Sequence, residues 1–175
     1  MSLDGSSRSK PAAATGTWKS GLLSEEGVYG VILVSGIIVA TNVASDSSWH
    51  VFTVVISTVI VFWAAHVYAG TVARHGHDDD DASSLRVAFR EALGRSHGLL
   101  VASVPASIVL LLGALRAFDD DITIWLALWI NVAVLAVLGF VAFARRGAGF
   151  FGRVGGALLT AAFGVVVILL KAFIH

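Results

Sequence analysis

Five blocks of about 20 apolar residues, parted by short charged segments, limit what this chain can fold into. They run from Gly27 to Ala44, Val51 to Ala73, Gly98 to Ala117, Ile122 to Ala144 and Phe151 to Ile174. A hydrocarbon core ~30 Å thick is crossed by ~20 helical residues at ~1.5 Å rise each, so every block is long enough to span it. A β-barrel would need shorter stretches that alternate apolar and polar residues. Runs such as "VYGVILVSGIIVA" and "TIWLALWINVAVLAVLGFVAFA" are instead apolar all round, and in lipid only helices satisfy their own backbone along such a run. With 57% of residues hydrophobic and 14% charged, the composition is that of a chain whose solvent is the bilayer. The expected fold is an all-α, polytopic membrane protein of five transmembrane helices.

Its orientation is read from Lys and Arg. Arg8, Lys10 and Lys19 precede the first block; Arg74, Arg86, Arg90 and Arg95 separate the second from the third; Arg145, Arg146 and Arg153 flank the turn from fourth to fifth. Only Arg116 and Lys171 fall on the other side, so the positive-inside rule predicts a cytoplasmic N-terminus and an external C-terminus, in a multi-pass protein of the cell inner (plasma) membrane. A formal net charge of zero hides this asymmetry, which describes topology and gives no reason to invoke nucleic acid. Residues 1–24 are rich in Ser, Ala and Gly and lack an apolar h-region, which predicts a disordered cytoplasmic tail and not a cleaved signal peptide. Residues 25–175 form the expected single membrane domain. Cysteine is absent, and with it any disulfide framework or thiolate metal site.

Between the spans, residues 74–97 are the longest hydrophilic stretch. Its front, "RHGHDDDD", is polar and Gly-broken; its back, "SSLRVAFREALGRS", places Leu85, Ala88, Phe89 and Leu93 on one helical face, with Arg86, Arg90 and Glu91 largely opposite. The pattern predicts a short amphipathic helix lying in the membrane interface, with a cytoplasmic helix packed on a partner as the alternative. In "RAFDDD", Asp119 to Asp121 meet the positive end of the fourth helix and are expected to cap it. Pro105 removes a backbone donor from the third helix and predicts a kink. Gly152, Gly156, Thr160 and Gly164 recur every fourth residue in the fifth helix. Such a small-xxx-small ladder receives a closely packed helix, from this chain or from a second copy, and a homodimer through it is the expectation.

Few residues within the spans could carry chemistry. His66 lies about four residues from the second helix's midpoint, ~6 Å from the bilayer centre, with Ala69, Gly70 and Ala73 on its face, so it is expected to point at another helix. An ionisable residue at that depth is a candidate ligand or proton-handling group; a neutral imidazole hydrogen-bonded across the bundle competes with that reading. Tyr68 suits the interfacial aromatic belt. Glu25 and Glu26 could cap the first helix or, with Tyr29, form a cytoplasmic vestibule. Asn131 sits mid-membrane in the fourth helix, and Ser35, Thr58, Ser103, Ser107 and Thr160 are scattered elsewhere; such residues mostly make interhelical hydrogen bonds worth ~1 kcal/mol each. If Asn131 faces His66, the two form the core's polar pair and line a transport path. His75 and His77, followed by Asp78 to Asp81, offer imidazole and carboxylate donors to a divalent metal, though a flexible acidic run holds one loosely. No Ser-His-Asp set, phosphate-binding loop or HExxH motif is present, so an enzyme is not the expectation and no cofactor is implied.

Five helices with these termini, and a His/Asp/Glu-bearing segment between the second and third, resemble the vacuolar iron transporter family. "AAHVYAGTV" occupies the place of that family's Gly-Glu-Tyr-type segment at the end of its second helix, and "RRGAGFFGRVGGALLTAAFGVVVILL" is similar to its Arg-initiated, Gly-rich last helix. The resemblance implies a homodimer that moves Fe²⁺ or a similar divalent ion, usually against protons, along a pathway between subunits. The expected function is accordingly a divalent cation or proton-coupled transporter, with a divalent metal as cargo. The alternative is a non-transporting membrane subunit or scaffold that contacts lipid or a partner membrane protein.

Overall fold

The computed structural model describes residues 25–44, 47–75 and 82–174. The expected tail at 1–24 and His77 lie outside the described residues. The described chain is all helix and turn, with five long helices: α1 (Glu25–Ala44), α2 (Ser48–His75), α3 (Ala82–Ala114), α4 (Asp120–Arg145) and α5 (Phe150–Ile174). All five are long and apolar enough to cross a membrane.

The helices pack as two hairpins, α2 with α3 and α4 with α5, and α1 lies between them in contact with all four other helices. That position follows from its sequence. Neither face of α1 is polar, so it is the helix best suited to burial on all sides, and Val31, Val34, Ile38 and Val39 are buried in two adjoining core clusters. Close approach is arranged by small residues. A Cβ on Gly30 would stand 3.2 Å from Ala102 and from the Leu99 backbone of α3, and one on Gly70 would stand 3.2 Å from Ala92. In α5, a Cβ on Gly156 would strike the Phe143 ring, and one on Gly164 would lie 2.8 Å from Val132; both partners belong to α4. The small-residue ladder is therefore filled from within the chain. Gly156 and Gly164 are buried, Gly152 is exposed, and Thr160 turns its hydroxyl back to the Gly156 carbonyl at 2.8 Å.

The helix ends show where sequence pattern and structure part. α3 starts at Ala82, so the amphipathic segment is neither a separate interfacial helix nor a free one; it is the first turns of a helix that continues to Ala114. Ala88, Ala92 and Ser96 are its buried positions, while Leu85 and Phe89 are exposed. Packing on α2 carries the helix through Gly94 and Gly98. The helix also continues through Pro105. At its far end Arg116 takes φ 63°, with the Arg116 N–H donating to the Gly113 carbonyl (2.8 Å) and the Ala117 N–H to Leu112 (3.0 Å), the paired bonds of a Schellman stop. Gly147, φ 75°, stops α4 in the same way, with N–H donors of Gly147 and Ala148 on Ala144 and Phe143. Asp119 is the N-cap of α4 but makes no side-chain capping bond. Its neighbour Asp120 instead accepts the N–H of Ser48, the first residue of α2, at 3.0 Å, so one acidic run serves two helix starts.

Candidate functional site

Antiparallel packing brings the start of α1, the end of α2 and the start of α3 to one end of the bundle, the end that carries most of the arginines. A cleft of about 340 Å³ opens there, lined by Glu26 of α1, His66, Ala69, Gly70 and Ala73 of α2, and Ala92, Arg95 and Ser96 of α3. Small side chains help explain the space: α2 and α3 touch at Gly70 and Ala92, and Ala69, Ala73 and Ser96 line the cleft beside that contact. Ser96 is 1% exposed and donates its hydroxyl to the Ala92 carbonyl at 2.9 Å. Glu26 is half-buried, and His66 and Arg95 are exposed. The cleft thus holds a carboxylate, an imidazole and a guanidinium over a floor of methyl groups.

His66 does share its face with Ala69, Gly70 and Ala73, but that face borders the cleft and the ring is exposed instead of buried against a neighbouring helix. One turn deeper, the Phe62 ring stacks with the His66 ring at 6.1 Å between centroids, and Tyr29 of α1 meets Phe62 at 5.8 Å. Of the sequence candidates, Glu26, Tyr29 and His66 therefore come together. Asn131 does not join them. Its Nδ2 donates to Ser35 Oγ at 2.8 Å, and Ser35 donates to the Val31 carbonyl at 2.8 Å, in a core where Asn131 is 0% and Ser35 2% exposed. Asn131 Oδ1 and the buried Trp63 Nε1 have no hydrogen-bond partner among the described residues. Other hydroxyls expected to link helices bond their own helix instead, as with Ser103 to Leu100 and Thr160 to Gly156, both 2.8 Å. His75 closes α2, and among the described residues no group of three or more His, Asp or Glu side chains could hold a metal ion.

Arg95 and Ser96 escaped the sequence reading because Arg95 counted only as a topogenic charge. Two matched stripes of small residues, Ala69, Gly70 and Ala73 on α2 and Ala88, Ala92 and Ser96 on α3, mark the facing surfaces and would have located both. Lys171 was missed too. In the last turn of α5 it is 2% exposed, with its Nζ 4.5 Å from the Trp125 ring centroid. In comparisons with known proteins, no protein family, curated protein or solved structure matches the chain.

Proposed function

We propose that this chain is a small multi-pass transporter of the cell inner (plasma) membrane, with its N-terminus and the cleft on the cytoplasmic side, its C-terminus outside, and proton coupling through His66. The observation that carries this reading is the cleft itself, which reaches an ionisable residue on a membrane-spanning helix from the arginine-rich end. The His66 imidazole shares the cleft with the Glu26 carboxylate and the Arg95 guanidinium. Kinship with the vacuolar iron transporters belongs to the same proposal and rests on the five-helix plan and the charged connection between α2 and α3. A divalent cation is the cargo this cleft supports least, since Glu26 is the only carboxylate among its described lining residues and Arg95 faces the same space. For a homodimer, the outward face of α5, the least buried helix, is open to a second copy, whereas the ladder is occupied by α4.

One observation favours the alternative of a non-transporting subunit or scaffold. Between the cleft and the far end lies a packed core around Ser35 and Asn131, about nine residues or ~13 Å along α1 from Glu26. Transport requires that core to open. The deciding experiment is flux of protons, Mn²⁺ and Fe²⁺ in proteoliposomes of the wild type and His66→Ala. The expected outcome is a proton flux that falls at least tenfold in the variant, with unchanged folding. Absence of any flux in verified, folded wild type would overturn the transport reading in favour of the scaffold.

A further inference from the structure

We infer that Lys171 is a latch: seated inside the bundle over Trp125 it closes the end opposite the cleft, and its withdrawal to the membrane surface opens that end. The inference rests on the transport proposal above for its use, and it names the side chain that seals the far side of the packed core. Gly156, Gly164 and Ile168 are the other buried positions of α5, and Lys171 is the next rung on their inward stripe, one turn beyond Ile168 of the main core cluster. A charged side chain thus stands where the pattern calls for an apolar one. It is 2% exposed, with its Nζ 4.5 Å from the centroid of the Trp125 ring, which packs against the same core cluster from α4. The ring is one of its contacts and not the only one.

Two opposed costs give this side chain two positions. Inside the bundle the ammonium is stripped of water, which the ring face and its other contacts offset. From the last turn of a spanning helix the same four-carbon stem reaches the headgroup region, where the ammonium is hydrated again. Phe173, two residues on, is already 89% exposed. The seat itself is fixed, because α4 is tied to the start of α2 by the Asp120 bond to the Ser48 N–H, whereas α5 packs on α4 and α1 alone. The movable part is therefore Lys171 with the end of α5. Its departure uncovers Trp125 and Ile168, and water entering there has six residues of α4, ~9 Å, to cross before it meets Asn131. A side chain with two positions of similar free energy is the kind of two-state element that a transport cycle biases.

The test is water access to the core at this end, read as the rate at which a single cysteine reacts with 2-(trimethylammonium)ethyl methanethiosulfonate in the full-length protein in lipid nanodiscs. The chain has no cysteine of its own, so Leu128→Cys introduces the reporter at a position 1% exposed and three residues from Trp125. Ala69→Cys, in the cleft, is the control. Trp125→Leu removes the seat and is expected to raise the Leu128→Cys rate about tenfold while the Ala69→Cys rate stays unchanged. Lys171→Met fills the same space with no charge to withdraw. Alone it is expected to lower the rate at least threefold, and combined with Trp125→Leu to bring the rate back within about twofold of wild type. That rescue separates a latch from simple loss of packing, which a second substitution would deepen. An unchanged rate in Trp125→Leu, a rise at both cysteines, a rise that persists in the double variant, or an unchanged or higher rate in Lys171→Met would overturn the inference. If Trp125→Leu fails to fold, Lys171→Met alone decides: a threefold fall supports the latch, and any smaller change overturns it. Latch behaviour without proton flux would leave this inference standing and remove the transport proposal; proton flux through His66 without latch behaviour would do the reverse.

Discussion

Asn131 and Ser35 hold the interhelical side-chain hydrogen bond at the centre of the bundle, and its removal has a predictable cost. Ser35→Ala takes the acceptor from Asn131 Nδ2 and leaves a fully buried amide with neither end paired, so the free energy of SDS-induced unfolding should fall by ~1 kcal/mol or somewhat more. Thr53→Ala, which deletes only an exposed hydroxyl bonded to its own helix at the Trp49 carbonyl, should stay within ~0.5 kcal/mol of wild type. An equal loss in both would mean that the Asn131 contact contributes nothing special. At this scale the sequence was a partial guide. Asn131 was recognisable as a buried polar residue because nothing polar surrounds it, but its partner was not, since several hydroxyls at similar depth on other helices were equally eligible. Lys171 shows the opposite difficulty. A lysine in the last turn of a spanning helix reads as one that reaches out to the interface, whereas Lys171 is buried with its Nζ against the Trp125 ring.

The spans were legible at the scale of the element because length and apolarity alone define them. Helix boundaries and partners were not, because they depend on what packs against what. The start of α3 was lost because residues 74–97 are too polar to read as part of a span, whereas contact with α2 makes Ala82 to Ala114 one helix. The ladder of α5 announced close packing without naming its partner, and the structure supplies α4. Gly156→Ala should therefore destabilise the folded chain by ~1–3 kcal/mol through its collision with Phe143. Gly155→Ala, one position away with nothing within 4 Å of the new methyl, should be neutral or slightly stabilising in the same SDS titration. Matching losses at both positions would refute the packing argument. Arg116 makes the complementary case. It holds a left-handed conformation that glycine adopts freely, so Arg116→Gly should raise stability by up to ~1 kcal/mol, and a clear loss would show that the arginine side chain contributes more than its backbone costs.

For the whole molecule, the proposed orientation can be tested without background because the chain has no cysteine. Gly149→Cys at the turn between α4 and α5 and Asp119→Cys at the turn before α4 both replace exposed residues. With a membrane-impermeant maleimide, Asp119→Cys should be labelled in intact cells and Gly149→Cys only after lysis; the converse pattern would invert the topology. The contact map of α1 has a consequence of another kind, in time. Along this stretch α1 is synthesised before the other four helices, yet it touches every one of them, including α5, which is made last. Neighbouring hairpins can close as they emerge, but the faces of Val31, Val34 and Ile38 wait for partners until the ribosome has released the end of the bundle. The first of these five helices to be made is the last to be finished, and until then it presents a bare apolar wedge to any chaperone that attends it.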